Sequence, residues 1–197
     1  NTEVIYHVMV GPGVLTFVKE LGEHLGSQRP EIFGFIDSLE AVALDIPQLD
    51  YLEGTYFWEA MPRYAQAEQN EFDKFYREKV GVDANGASVD DAKDVSTFSH
   101  MFSVWETLFA IKQAMEMADY KGPDQKVAML EAMESITGFA QSNEFPQGDK
   151  VFNGKTHQAF GHQNISKVVD GKLELTYTTS IDETMYPDET DYTQMSF

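Results

Sequence analysis

Three short stretches of this sequence hold residue types that could contact a small ligand. The candidates are, in chain order, Val10, Gly11, Phe35, Asp37, Ser38 and Trp58. A carboxylate and a hydroxyl can hydrogen-bond a polar group, and the backbone N–H groups of a Gly-Pro-Gly turn can approach an anionic one. Aromatic rings can line the apolar part of a pocket. The residue types therefore predict binding chemistry at the ends of strands.

Each candidate also has a purely structural explanation. Asp37 followed by Ser38 is a good helix N-cap, and the glycines of residues 11–13 can simply permit a strand-to-helix turn. Aromatic residues near the ends of strands more often belong to the core. Phe57 and Trp58 must face opposite ways, because successive side chains of a strand alternate.

The elements that would position these residues alternate between strand and helix. The apolar run Val4–Val10 predicts a strand, apolar residues at helical spacing predict a helix over 14–25, and two further strands are expected in 31–38 and 53–61. This order is typical of a parallel α/β sheet, in which ligands sit beyond the carboxyl ends of the strands. A strand as apolar as Val4–Val10 is expected to have neighbours on both sides.

After Pro62 the sequence becomes mainly helical. Helices are predicted over residues 66–81 and 95–120, and from about Pro123 to Gly138. The helix over 95–120 is apolar around much of its circumference, so we expect it to be buried between layers. Asp170-Gly171 between two apolar-bearing runs predicts a β-hairpin.

Composition excludes several classes of function. The chain has 197 residues, a formal net charge of −19 and no cysteine. Such a charge repels nucleic acids and anionic membranes, and thiol chemistry is excluded. No stretch is apolar enough to span a membrane. The spacing of His100, His157 and His162 matches no metal-ligand pattern, and no established catalytic motif is present, so we expect neither a metal, a cofactor nor an enzyme.

The order of these stretches resembles the C-terminal part of a type I periplasmic binding protein. The resemblance covers essentially the whole chain and is carried by "EVIYHVMVGPGVLTFVKELGEHLG", "EIFGFIDS", "LEGTYFWEAMP", "NEFDKFYREKVG", "SHMFSVWETLFAIKQAMEMA", "DQKVAMLEAMESI" and "HQAFGHQNISKVVDGKLEL". More narrowly, the chain resembles the branched-chain amino acid and amide/urea group of solute receptors for ABC importers. No single motif is diagnostic, and the order and spacing of the pieces carry the resemblance.

The resemblance implies an α/β fold with a parallel sheet flanked by helices, two lobes, and an incomplete chain that lacks the N-terminal half. Residues 1–60 would belong to the second lobe, residues 61–155 to the first, and residues 156–197 would return to the second as a hairpin and tail. Hinge crossings would lie near Met61-Pro62 and near Lys155-Thr156.

The resemblance also implies a function. It points to an extracytoplasmic protein, periplasmic or lipid-anchored outside the cell, that closes two lobes around an amino acid, an amide or a related solute and delivers it to a membrane permease. Asp37 is the nearest match to the family acid that contacts a ligand ammonium group. Val10-Gly11 stand where relatives that bind amino acids often carry an aromatic residue, which departs from ordinary Leu/Ile/Val specificity.

Two alternatives stay open at this point. A sensory domain of the same fold would serve a signalling receptor instead of an importer. An α/β enzyme would be indicated by a clustered pair such as Asp37 with His7 in a closed pocket. Otherwise we expect His7, inside an apolar strand, to be a buried histidine with satisfied hydrogen bonds, or else to point into the cleft.

Overall fold

A computed structural model describes residues 2–9, 13–35, 52–59, 71–82, 88–90, 99–170, 172–187 and 190–195. Within these ranges the helices are α1 (Gly13–Leu25), α2 (Glu71–Val80), α3 (Ser99–Met117) and α4 (Lys126–Ser135). The strands are β1 (Val4–Tyr6), β2 (Glu31–Phe35), β3 (Tyr56–Glu59), β4 (Gly138–Phe139), β5 (Lys150–Asn153), β6 (Gln158–Gly161), β7 (Asn164–Val169) and β8 (Lys172–Thr178).

The chain divides into two compact units. Unit 1 consists of Asn1–Ser99 and Gln163–Thr178, and unit 2 of His100–His162 and Thr179–Phe197. The assignment of residues 1–60, 61–155 and 156–197 to the two lobes of a larger receptor stays a prediction.

Unit 1 is built on a five-stranded sheet with the order β1-β2-β3-β7-β8. Strands β1, β2 and β3 run parallel, and β7 and β8 are antiparallel to their neighbours. The predicted α/β sheet with parallel strands is therefore confirmed. The predicted hairpin is confirmed as well: Val169 of β7 pairs with Lys172 of β8, and Asp170 takes the positive φ of 51° that such a tight turn requires.

The core of unit 1 lies between the sheet and one face of α1. Val14 and Val18, one turn apart on the helix, are completely buried and pack with Ile32 of β2 and Phe57 of β3. Full burial of side chains of this size is worth about 1.5–3 kcal/mol each. The apolar spacing of the sequence thus gives α1 its buried face.

Strand β1 differs from its prediction. It covers Val4–Tyr6 instead of Val4–Val10, and among the described residues its one strand partner is β2. Val4 and Tyr6 are 55% and 60% exposed. An open groove of about 620 Å³ runs beside this strand and is lined in part by Leu21 and Leu25 of α1. The expected neighbour on the second side of β1 is not found within the described part of the chain, and its apolar surface is uncovered there.

Unit 2 packs α3 and α4 with a three-stranded antiparallel sheet of order β4-β5-β6. Its core contains Ala114 of α3 and the stacked rings of Phe139 and Phe145, whose centroids are 4.4 Å apart. The opposite face of α3 leaves Val104 and Leu108 57% and 61% exposed. The expected burial of this helix between layers is therefore wrong for that face.

A buried ion pair joins α3 to β5 within unit 2. The Lys150 ammonium lies 2.7 Å from Glu106 Oε2, and the backbone N–H of Gln147 donates to Glu106 Oε1 at 2.7 Å. Burial raises the pKa of Glu106, and the Lys150 ammonium and the N–H of Gln147 oppose that rise. The pair satisfies a carboxylate that would otherwise be buried alone.

Candidate functional site

The carboxyl ends of β1, β2 and β3 meet at one edge of the sheet in unit 1. In register, Tyr6 lies beside Phe33, Phe33 beside Tyr56, and Phe35 beside Trp58. We call the ends of these strands, from His7 through Gly34-Phe35 to Trp58-Glu59, the carboxyl edge. In open α/β sheets ligands bind outside this edge.

One face of the carboxyl edge carries the predicted aromatic residues. The rings of Phe35 and Trp58 stack with their centroids 4.3 Å apart and their planes at 27°. Both side chains are half-buried, whereas Phe57, on the opposite face of β3, is completely buried in the core. The buried indole Nε1 of Trp58 has no hydrogen-bond partner among the described residues. The structure thus brings together two of the predicted ligand-contacting residues, and their role stays a prediction.

The opposite face carries buried polar side chains that were not among the predicted ligand contacts. Glu59 is 1% exposed, and the Ser166 hydroxyl donates to Glu59 Oε1 at 3.0 Å. Asn164 lies directly opposite Glu59 in the β3–β7 pairing and accepts a hydrogen bond from the Thr178 hydroxyl at 2.8 Å. A carboxylate two positions after the core residue Phe57 was the signal that could have identified this face.

His7 lies on the same face as Glu59, directly after β1. Its backbone N–H donates to the carbonyl of Phe33 at 2.9 Å, and its ring meets Phe17 of α1 edge-on at 6.3 Å. The residue is 7% exposed, and neither ring nitrogen has a hydrogen-bond partner in the described part of the chain. Burial lowers the pKa of His7. His7 is therefore buried, as expected, but the expected hydrogen bonds of its ring are not found among the described residues.

Gly34 makes room for this imidazole. A Cβ at residue 34 would lie 2.5 Å from Nε2 and 2.6 Å from Cε1 of His7, closer than real contacts of this kind. The ring of His7 therefore occupies the space that a side chain on β2 would need. We call this arrangement the His7 niche.

Four of the six predicted site residues lie outside the described residues. They are Val10, Gly11, Asp37 and Ser38. The structure therefore does not test the match of Asp37 to the family acid, nor a pairing of Asp37 with His7. The first proposed hinge crossing, at Met61-Pro62, also lies outside the described residues.

Two histidines of unit 2, His157 and His162, have structural partners. His157 Nε2 lies 2.8 Å from Glu134 Oε1, and its ring stacks on Tyr192 at 5.2 Å. His162 Nδ1 is 2.7 Å from the carbonyl oxygen of Thr179. In the described ranges no group of three or more His, Asp or Glu side chains could hold a metal ion. Nor does any described helix combine the length and apolar character needed to cross a membrane.

Comparison with solved structures identifies the fold. A solute-binding protein of an ABC transporter from Rhodopseudomonas palustris HaA2, in complex with p-hydroxybenzoic acid, matches with a TM-score of 0.62 and 17% identity over 91% of this chain. A leucine-binding protein from Thermotoga maritima matches with a TM-score of 0.60 and 13% identity over 92% of this chain. A leucine-, isoleucine-, valine-, threonine- and alanine-binding protein from Brucella ovis matches with a TM-score of 0.57 and 16% identity over 95% of this chain.

These similarities define a class of fold. The chain has the α/β fold of type I periplasmic binding proteins. It spans 45% of the length of each of the three solved structures. No protein-family model matches the chain, and no curated protein matches it in sequence.

Proposed function

We propose that this chain forms part of an extracytoplasmic solute-binding protein that delivers a small polar or amino-acid-like ligand to an ABC importer. The carboxyl edge of unit 1 forms one wall of the ligand cleft, and the protein encloses the solute by closing two lobes around it. The chain acts by binding and performs no chemistry on the solute. It works in the periplasm or at the outer surface of the cell, together with a membrane permease.

The observation that carries this proposal is the agreement between fold and site. Of the three solved structures described above, two are leucine-binding proteins and one is a solute-binding protein in complex with p-hydroxybenzoic acid. The half-buried Phe35–Trp58 stack lies where open α/β sheets bind ligands. Small-molecule sites are clefts lined mainly by apolar and aromatic side chains, and the Phe35–Trp58 stack would supply part of such a lining.

Uncovered apolar surfaces support the proposal that the receptor has a second half that packs against this chain. One face of β1 exposes Val4 and Tyr6, and the groove beside the strand is lined in part by Leu21 and Leu25 of α1. In unit 2, Val104 and Leu108 form an exposed apolar stripe on α3. Because soluble proteins seldom expose contiguous apolar surface without a use for it, we propose that an N-terminal half of the same receptor covers these surfaces.

Ligand screening of the full-length protein tests the proposal. Thermal shifts are measured with amino acids, amides, urea and aromatic acids, and isothermal titration calorimetry follows for any compound that raises the melting temperature. A solute present at 100 times its dissociation constant should stabilise the protein by about 2.7 kcal/mol. If no compound of these classes changes the melting temperature, the proposal is refuted.

Substitutions then test the wall. Phe35→Ala and Trp58→Ala should weaken binding of the identified solute at least tenfold, because each removes one ring of the stack. Phe75→Ala, which removes an aromatic ring from the exposed side of α2, is the matched control and should leave the affinity unchanged. Equal effects of all three substitutions would contradict the assignment of this wall.

A further inference from the structure

The His7 niche contains a titratable group whose hydrogen-bonding capacity is unused. Both nitrogens of His7 are buried without a partner among the described residues, although a phenylalanine or leucine could fill similar space without leaving polar atoms unsatisfied. Leaving a buried polar atom unpaired costs about 1–3 kcal/mol. Groups of this kind need an explanation beyond packing.

The niche admits only the neutral ring. The ring lies against Gly34 on β2 and Phe17 on α1, and the other residues of α1 that face the sheet are apolar: Val14, Val18 and Leu21. In the described part of the chain, these surroundings supply no hydrogen-bond acceptor for a second N–H group. Protonation would place an unpaired charge in this space, and such a charge is far more costly to bury than a neutral polar group.

Among the described residues, the charged groups near the niche do not neutralise an imidazolium. Glu59 of β3 lies on the same face of the sheet as His7. By strand register, however, it is two residues beyond the β3 residue that pairs with Gly34 beside His7, and it accepts a hydrogen bond from the Ser166 hydroxyl. On β1 itself Glu3 is exposed at the opposite end of the strand, and Lys19 and Glu23 of α1 pair with each other in solvent. Burial is accordingly the cause that depresses the pKa of His7.

The position of His7 connects the niche to the predicted ligand contacts. Its backbone N–H fixes the end of β1 to Phe33, and the chain reaches Val10 and Gly11 three and four residues later. If the ring leaves the niche, the end of β1 loses the contacts that hold it against β2 and α1. The carboxyl edge, of which the end of β1 is a part, would then lose its fixed geometry.

We propose that His7 is a pH-sensitive positioning residue of the carboxyl edge: neutral His7 holds the end of β1 in the conformation that binds solute, and protonated His7 releases it. This inference rests on the proposed function. It adds that solute affinity is constant near neutral pH and decreases in acid. When only the neutral form binds, the apparent dissociation constant rises about tenfold for each pH unit below the titration midpoint of His7 in the solute-free protein.

The experiment measures solute affinity of the full-length protein between pH 8 and pH 4.5. L-Leucine is the first probe because its net charge is constant across this range, and any other compound identified by the thermal-shift screen is titrated in the same way. His7→Phe, which keeps an aromatic ring in the niche, should abolish the acid-dependent loss of affinity. His24→Gln, at the exposed end of α1, is the matched control and should keep it.

A second measurement on the unsubstituted protein covers the case in which His7→Phe fails to fold. The proton signal at Cε1 of His7 is followed by NMR as a function of pH, with and without solute. Saturating solute should lower the titration midpoint of His7, because the solute binds the protein with a neutral ring and so opposes protonation of that ring.

The outcomes separate the two proposals. If solute binds and its affinity depends on pH equally in the unsubstituted protein and in the His7→Phe variant, or if solute leaves the midpoint of His7 unchanged, this inference is overturned while the proposed function stands. If no compound of the screened classes binds at pH 8, the proposed function fails and the inference fails with it.

Discussion

Gly34→Ala provides the sharpest test of the geometry at the carboxyl edge. The new Cβ would lie 2.5 Å from Nε2 and 2.6 Å from Cε1 of His7, about 1 Å inside ordinary van der Waals contact. Overpacking of a well-packed interior costs about 1–3 kcal/mol. Removing a glycine from a strand returns about 0.5–1 kcal/mol through the unfolded state. We therefore expect the free energy of unfolding to fall by about 1–2 kcal/mol.

The assay is urea unfolding followed by circular dichroism, with a double-mutant cycle. In a His7→Ala background the ring is absent, so Gly34→Ala should then be neutral or slightly stabilising, and the coupling between the two sites should reach about 1–3 kcal/mol. Gly22→Ala is the matched control: a Cβ there meets nothing within 4 Å, and the change should stabilise α1 by about 0.5–1 kcal/mol. A cost of Gly34→Ala that is the same with and without the His7 ring would refute the described niche.

Three further predictions concern charges and close packing. As pH falls below about 6.5, the usual pKa of histidine, His7 takes up a proton in the unfolded chain but not in the native protein, where burial lowers its pKa. The free energy of unfolding, measured with urea, should therefore decrease until the lowered native pKa is reached. His7→Phe should reduce that decrease. Lys150→Met should destabilise the protein by about 3 kcal/mol, because Glu106 stays buried without its cation. Part of this loss should disappear in acid, where Glu106 takes up a proton. A loss of less than about 1 kcal/mol would contradict the buried ion pair. Gly154→Ala should lower the melting temperature by several degrees, because its Cβ would clash with the backbone oxygen of Glu134; an unchanged melting temperature in differential scanning calorimetry would contradict this close approach.

Features encoded by local patterns were predictable from the sequence. The helical spacing of Val14 and Val18 predicts the buried face of α1, and Asp170-Gly171 predicts the β7–β8 hairpin. Both depend on residues close together in the chain, where side-chain periodicity and turn chemistry act directly. The strand–helix alternation predicted the class of sheet for the same reason.

The environment of two elements was not predictable. Apolar residues in β1 indicated neighbours on both sides, and apolar residues around much of α3 indicated burial between layers, yet Val4, Tyr6, Val104 and Leu108 are exposed within this chain. An apolar pattern indicates that a surface is more stable when it is covered, but it does not indicate which polypeptide covers it. The same pattern therefore arises in an interior strand and in a strand at the margin of the described sheet.

The candidate site was predictable only in part, because strand register decides which side chains meet. The carboxyl-end rule selected Phe35, and Trp58 was predicted as an aromatic residue that could line a pocket, but their stacking follows from the pairing of β2 with β3. Glu59 and Ser166 are 107 residues apart and meet through the antiparallel pairing of β3 with β7. One-dimensional spacing carries no information about such long-range pairs.

The indole N–H signals of Trp58 and Trp105 provide the most direct test of the central claim, that the carboxyl edge of unit 1 contacts the solute. Trp58 Nε1 lies at the carboxyl edge without a partner among the described residues, whereas Trp105 Nε1 donates to the carbonyl oxygen of Asn143 in unit 2 at 3.0 Å. In a solute titration of the isotopically labelled full-length protein, we expect the Trp58 signal to move to saturation with the calorimetric dissociation constant while the Trp105 signal moves much less. A Trp58 signal that stays fixed while solute binds would contradict the account.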